Sequence, residues 1–387
     1  MSSLPLKSIR WRNTLFLGGT LLGALLGVPA YIWQFGLSGW QVALFFVFFA
    51  LTGLSITLGY HRLFAHLSFQ ASSPVRFLTL LFGAAAFENS ALSWAADHRQ
   101  HHKFVDHEED PYDISRGFLH AHVGWLLFRV KPDSPLDCAK DLQADSLVAW
   151  QHRHYVPIAI LMSFVLPTLI GWCFGGWTAA LGSFLMAGVA RIVCVHHMTF
   201  FINSLCHTLG RRPYSSRCTA RDSMLMALFT FGEGYHNFHH EFQHDYRNGV
   251  NWWQFDPTKW SIWILHQFGL VRQLRRVPHE EIVLARVAEQ QRRISEKLES
   301  ARAHIPESIQ RMLENVQHRL QQASKEWQDR KAEYRRTANL KMEASREKVE
   351  QLRRELRLAS ARLRATIKEW RQTRRQVLST LRRVTTS

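Results

Sequence analysis

Nine histidines in this chain are spaced as metal ligands are. They are His61 and His66 in HRLFAH, His98, His101 and His102 in HRQHH, His207 in NSLCH, and His236, His239 and His240 in HNFHH. Both HxxHH strings space their imidazoles i, i+3 and i+4, which on an α-helix puts three rings on one face. Two such triplets can face each other across a cavity. In HRLFAH the i, i+5 spacing turns the rings roughly 140° apart on an α-helix, so His61 and His66 suit different metal ions, or a helix end that unwinds. A lone histidine is more often a hydrogen-bonded core or surface residue, but spaced clusters at one boundary of the apolar segments call for another reading.

Nine neutral imidazoles exceed the needs of one ion, and about four to five nitrogens each imply two ions. Zinc takes four ligands, often with cysteine, and cannot change oxidation state. Imidazole also suits iron, copper and nickel. An all-nitrogen, two-metal site beside a region that can hold a lipid tail points to iron and O₂ chemistry on an unactivated hydrocarbon. The carboxylates Asp106, Glu108, Glu109, Asp110 and Asp113 are expected either to orient imidazole N–H groups or to form a solvated loop, DPYD being turn chemistry as well. His196 and the remaining histidines carry no expected role, with His107 and His244 candidates for supporting contacts only.

Four apolar stretches must position these residues, at about 14–33, 40–60, 155–174 and 177–197. Each has about 20 residues, the length that crosses a ~30 Å hydrocarbon core. The short turns QFGLSG and GG make them two hairpins. Lys7, Arg10 and Arg12 precede the first stretch, and most other Lys and Arg residues lie between His61 and His154 or after Arg211. By the positive-inside rule those segments, and both termini, face the cytoplasm. A cleaved signal peptide is the rival reading of the first stretch, disfavoured because a second span follows at once. The stretch from Phe77 to Ala96 contains Glu88 and Asn89 and is expected as a helix at the interface or packed on the spans.

The chain divides near residue 278 into a membrane part, 1–278, and a basic helical extension, 279–387. Of the net charge of +17, most lies in the extension, with 26 Lys and Arg against 15 Asp and Glu from Glu280 to Ser387. Beside oily spans, a basic balance fits anionic lipid better than nucleic acid, and no nucleic-acid fold accompanies it. The five cysteines form no CxxC pair and fit a reducing compartment or a membrane interior. Two apolar series, Val287, Ile294, Leu298, Ala301, Ile305, Ile309, Met312, Val316, Leu320 and then Val349, Leu352, Leu356, Leu363, Ile367, Trp370, Val377, Leu381, predict long helices with a coiled-coil seam. Pro306 is the one expected breaker, at the first turn of a new helix. Self-association or partner docking through the seam is the leading expectation, ahead of a solvated extension or membrane-surface binding.

At this point the sequence resembles the integral-membrane fatty acyl-CoA desaturases of the stearoyl-CoA desaturase type. The strings DHRQHHKFVDHEEDPYD, RGFLHAHVGWLLFR, NSLCHTLGRRPY and GEGYHNFHHEFQHDYR carry the resemblance, over about Leu51 to Pro278. It implies an all-α integral-membrane fold, with four transmembrane helices under a cytosolic helical cap that holds a di-iron site. The nine histidines match the family's ligands, and Asn203 matches an asparagine that reaches one metal through water. Trp94 and Thr199 match positions that shape a bend in the acyl tunnel, and Glu88 stands where the family commonly has glutamine. Asn89, Asp97 and Arg129 match positions that contact coenzyme A in the animal enzymes, whereas Ala96 replaces an arginine and Val130 a lysine. Two lost cations weaken such a grip, so phospholipid-bound and carrier-protein-bound chains stand as alternatives to acyl-CoA.

The implied reaction is O₂-dependent insertion of a cis double bond, at Δ9, into a saturated acyl chain. Electrons must come from a separate electron-transfer protein and reductase, because the chain holds no HPGG heme string, iron–sulfur cysteine set or GxGxxG fingerprint. A di-iron fatty acyl hydroxylase or other oxygenase is the nearest rival, and a metal-handling membrane protein or scaffold the rival of another class. The weaker coenzyme A grip and the extension favour a bacterial inner membrane, with the endoplasmic reticulum the site in a eukaryote.

Overall fold

Apolar runs that continue well past a helical turn set the architecture, and they give a structure that is almost entirely helical. The structure, a computed structural model, describes residues 8–129, 134–301, 306–339 and 346–386. Lys7, Val130 and Ile305, used in the reasoning above, lie outside these. The chain forms two compact units, residues 1–276 and 277–387.

In the first unit three helical stretches are long and apolar enough to cross a membrane: Trp11–Phe35, Gly39–Ala65 and Tyr155–Thr208. The first two form a hairpin at Gly36, whose φ of 74° is the left-handed conformation glycine tolerates. Ser38 then starts the next helix through a reciprocal box with Gln41, and Gln41 Nε2 donates to the Tyr31 hydroxyl at 2.9 Å across the hairpin.

The third stretch has 54 residues, which as one straight helix would measure about 80 Å, far beyond a hydrocarbon core. It is instead broken at Gly175 (φ −168°, ψ 29°) and Gly176 (φ 65°, ψ −152°). Beyond the break the chain folds back. The Trp172 and Trp177 rings stack at 5.1 Å, and a methyl group at Gly188 would stand 3.0 Å from the Ser163 carbonyl oxygen. The last arm runs on to Thr208, about ten residues beyond its expected end, so that His207 rides on the same helix.

The expected helix from Phe77 to Ala96 is two helices, Ser73–Ala84 and Ala91–Phe104. Between them Phe87 and Asn89 have positive φ (57° and 75°), and Ser90 caps the second helix by accepting from the Ser93 amide at 3.3 Å. A strong cap signal inside an apolar run therefore outweighed the continuity of the run. Gln151 holds the new helix start by accepting from the Ala91 amide at 3.1 Å and donating to the Tyr60 hydroxyl at 2.7 Å. Alanines at the contact, Ala91, Ala95 and Ala96, are all buried and let this helix approach Tyr60 and Phe64 closely. A two-residue antiparallel pairing, Gln70–Ala71 with Val271–Arg272, returns the end of the unit to the first loop.

The second unit contains three helices, His279–Ala301, Glu307–Asn339 and Arg346–Thr386. Pro306 stands just before the second, as its missing N–H permits. The division between Asn339 and Arg346 had no such marker in the sequence. Most of the expected apolar seam is buried among the three helices, with Val287, Ile294, Val316, Leu320, Leu363, Ile367, Trp370 and Val377 in one core that Trp327 joins, whereas Met312 is exposed. Both buried indoles donate, Trp327 to Ser360 Oγ at 3.0 Å and Trp370 to Gln290 Oε1 at 3.2 Å. Trp370→Ala should destabilise this unit by about 3–5 kcal/mol. Hydrogen exchange followed by mass spectrometry should show earlier opening of the 346–386 helix with unchanged exchange in the first unit.

Candidate metal centre and substrate cavity

The nine histidines come together in the first unit, in two adjoining groups whose ligand atoms lie within 4.8 Å of one another: His61, His66, His98, His102 and His239, and then His101, His207, His236 and His240. Each HxxHH string is therefore split. The Ala91–Phe104 helix sends His98 and His102 to the first group and His101 to the second, and the His236–Glu241 helix sends His239 to the first and His236 and His240 to the second. The triplets interleave where the spacing had suggested two facing sets.

His61 and His66 share one group, and of the two alternatives expected for their spacing the structure shows a helix end that departs from the α-helical pitch. The reason is local. Residues Ser55–Ala65 form widened π-helical turns, and the His66 amide bonds the His61 carbonyl at 3.0 Å, an i to i+5 closure. Five residues then make about one turn, which brings the two rings onto the same side.

The Nε2 atoms point inward. Their separations are 2.8 Å for His66–His98, 2.9 Å for His102–His239, 3.1 Å for His61–His239, 3.1 Å for His207–His236 and 3.0 Å for His236–His240. Outer partners fix the tautomers. His101 Nδ1 lies 2.8 Å from Asp110 and His61 Nδ1 3.0 Å from Glu233, and a carboxylate accepts only an N–H. Thr219 donates to Asp106 at 2.6 Å, which leaves its oxygen to accept from His207 Nδ1 at 2.8 Å.

These three rings thus turn Nε2 toward their neighbours, and His101 Nε2 is buried without a hydrogen-bond partner. Burial first, and then neighbouring imidazoles, hold His66, His98, His102, His236, His239 and His240 well below the ordinary histidine range. Neutral rings with converging lone pairs are the donor set that a divalent or trivalent cation satisfies. The residues present fit two metal ions.

Of the acidic run, Asp110 and Asp106 act on imidazoles. Burial alone would raise the Asp110 carboxyl, but His101 and the amides of Tyr112 and Asp106 hold it below its usual value. Asp113 instead caps Ser115 and pairs with Arg116, and Glu108 and Glu109 line an open vestibule. His244 donates to the His66 carbonyl at 2.9 Å, whereas His107 is exposed. Sequence reading missed Glu233 and Arg62. The buried Arg62 guanidinium donates to Glu233 at 2.8 Å, to Asp256 at 3.0 Å and to the Tyr246 carbonyl at 2.8 Å. Burial would raise the Glu233 carboxyl, yet Arg62 and His61 together lower it. The available signals were an arginine between two ligands in HRLFAH and an acid three residues before HNFHH.

A cavity of about 340 Å³ reaches His61 and His98. Glu88, Asn89, Trp94, Asp97, Thr199 and Asn203 line it, with Phe16, Phe87, Phe200, Ile56 and His196 among the rest of the wall. Arg129 is not in that lining; its side chain is exposed and its amide bonds the Ser8 carbonyl at 2.6 Å. His196, given no role from sequence, packs its Nε2 on the Ala86 carbonyl at 2.7 Å. The Trp94 ring stacks on His98 at 4.9 Å and its indole N–H reaches Glu88 at 3.3 Å, so one side chain spans from imidazole to cavity wall. A wider vestibule shares Arg12, Asn13, Asn89 and Asp97 with the cavity and adds Arg10, Arg116 and His120.

Glu88 shares this wall with Arg12, and its carboxyl accepts from the Trp94 indole. Burial pushes its carboxyl up to about 8, against the opposing contacts of Thr199 and Trp94. The folded-state value lies above the unfolded one, so the stability this group contributes is complete below the ordinary carboxylate range and is lost as pH rises toward about 8. Thermal unfolding in detergent at about pH 4 and about pH 9 should show Glu88→Gln stabilising relative to the parent at the higher pH, with little difference at the lower.

Comparison with known proteins agrees with this arrangement. Residues 38–270 match the Fatty acid desaturase family. The chain is 42% identical over 279 residues to "Acyl-CoA desaturase 1" of Saccharomyces cerevisiae, covering 70% of this chain and 54% of that protein. It is also 42% identical to "Probable acyl-CoA desaturase" of Schizosaccharomyces pombe, over 64% of this chain and 51% of the relative. With "Stearoyl-CoA desaturase" of Homo sapiens the identity is 37%, over 72% of this chain and 77% of the human protein. The chain thus spans about half the length of the two yeast relatives. The histidine strings, their convergence beside an enclosed cavity and these similarities have one reading: the chain belongs to the fatty acid desaturase family.

Proposed function

We propose that this protein is a membrane fatty acyl-CoA desaturase that inserts a cis double bond, at Δ9, into a saturated chain using O₂ and two irons. The observation that carries the reading is the convergence of nine imidazoles, in groups of five and four, of which His61 and His98 reach the wall of the cavity. Iron held by these histidines supplies the oxidising power of the reaction. Asp110, Glu233 and the Asp106–Thr219 pair keep the imidazole protons on the outer nitrogens, so that the inner ones remain free to ligate.

The cavity wall performs the positioning. Phe16, Phe87 and Phe200 exclude water from the acyl chain, and Trp94, locked between His98 and Glu88, holds one carbon–carbon bond near the ligand cluster. Neutral Glu88 and Thr199 let that wall carry polar atoms without a buried charge. Asn203, one helical turn before His207, is suited to hold a metal-bound water. At the vestibule, Arg10, Arg12 and Arg116 offer cations for a phosphate-bearing carrier, in place of those missing at Ala96 and Val130. These cations are compatible with acyl-CoA and equally with a phospholipid-bound or carrier-protein-bound chain, each of which bears phosphate.

The four-span topology belongs to the same reading. The break at Gly175 and Gly176 divides the third apolar stretch into two arms, and the second and last arms both end at the histidines. Both termini then lie on the cytoplasmic side, with the cap above them, in the inner membrane of a bacterium or the endoplasmic reticulum of a eukaryote. A separate electron-transfer protein and reductase complete the reaction. Self-association through the extension would have to use its outer faces, because its apolar seam is buried within one chain.

Expression in a host lacking desaturases, followed by gas chromatography and mass spectrometry of its fatty acids, tests the assignment. A new cis alkene is expected; a hydroxy acid, or an unchanged profile with iron bound, would overturn it. Asp110→Asn removes the carboxylate on His101 at nearly constant shape and should cost about 10–100-fold in metal affinity or activity. Elemental analysis of the purified protein beside product formation separates the two effects.

A further inference from the structure

The Arg346–Thr386 helix turns a row of cations outward. Arg354, Arg357, Ala361, Arg364, Lys368, Arg371 and Arg375 follow one another at steps of three and four and are all exposed, whereas Leu352, Ala359, Leu363, Ile367, Trp370 and Val377 on the other side fill the core. Six of these seven positions are basic, over about 32 Å of helix. Several other arginines of the unit are matched to acids, as in Arg292 with Glu289 and Glu296, Arg311 with Glu307, and Arg330 with Glu355. Within the row only Arg364 has a carboxylate partner among the described residues, Glu280 at 3.0 Å. Like charges at these spacings repel along a helix, and a negatively charged partner removes that penalty.

We propose that this row docks on the anionic headgroups of a lipid bilayer, the bilayer crossed by the first unit; the inference rests on the membrane reading above. Three observations favour lipid. A line of cations along one helix face matches a flat field of phosphates and carboxylates better than a protein surface, which would need a central apolar anchor. The only large apolar residue exposed beside the row is Leu358, so the contact is electrostatic, without insertion. Residue 277 follows 276 without a spacer between the two units, which keeps the row tethered to the membrane and raises its effective concentration there. No aromatic side chain stands in the row to stack on a nucleic-acid base.

The full chain is placed in lipid nanodiscs of phosphatidylcholine, with or without phosphatidylserine. A fluorescent amino acid introduced at Gln372 by codon suppression is read against a nitroxide quencher on the lipid headgroups. Co-elution of the chain with the discs is checked first; failure there removes the membrane reading and the proposal with it. Quenching is expected in phosphatidylserine discs, with its loss in plain phosphatidylcholine, at high salt, and in the double variant Lys368→Glu with Arg371→Glu. The pair Lys368→Arg with Arg371→Lys should retain it, and circular dichroism should show equal helix content in all variants. Equal quenching in both lipids, or quenching indifferent to charge reversal, overturns the proposal alone. So does a salt-sensitive signal that appears in neutral discs only when an acidic protein or duplex DNA is added.

Discussion

Nine imidazoles can share one buried volume only if they stay uncharged. Every protonated ring would repel its neighbours at ring separations of about 4 to 6 Å, in a site with little water to screen them. The surrounding structure accordingly keeps protons off the inner nitrogens. Three outer groups, Glu233, Asp110 and Thr219, accept the opposite N–H of His61, His101 and His207, and each is itself held in place by another residue. The Arg62–Glu233–Asp256 network is the largest of these supports, fully buried and tied to the loop that carries Tyr246 and Asn248. A buried ion pair of this kind is weak evidence for stability in general; here it anchors a ligand, which gives it a positional role.

The candidate histidines were legible in the sequence because imidazoles at helical intervals share a helix face, and HRQHH and HNFHH keep that interval. Their partition was not. Which ring joins which group depends on how two helices interleave, a tertiary relation that i, i+3, i+4 spacing leaves open. The pairing of His61 with His66 was left open between different ions and an unwound helix end, because i, i+5 spacing on an ideal α-helix turns the rings apart whereas the backbone here is wider. The cavity beside the histidines was legible only in part. Trp94 and Thr199 do line it, but His196 looked ordinary, and Arg129 stands outside the lining because the chain around Phe128 is occupied in pairing with Ile9.

Glycine and serine decided the largest departures from the expected elements. The pair Gly175–Gly176 folds one apolar stretch back on itself, and Ser90 starts a helix inside a run that reads as continuous. Apolar periodicity in the extension, by contrast, located its core well, because heptad-like intervals fix which face is buried regardless of how the helices are connected. What periodicity could not give was the partner of that face, and three helices of one chain supply it.

The widened turn between Ser55 and Ala65 amounts to surplus backbone within a helix that is otherwise an ordinary span. Seen as chain length, the join between His61 and His66 carries a residue more than a single α-turn needs. A deletion of one residue there would be nearly silent to hydropathy, since the span would still cross a bilayer, yet it would rotate everything beyond it by about 100°. Tolerance to insertions and deletions along this helix should therefore end abruptly at its last two turns, where length is set by the angle between two rings and no longer by the thickness of a membrane.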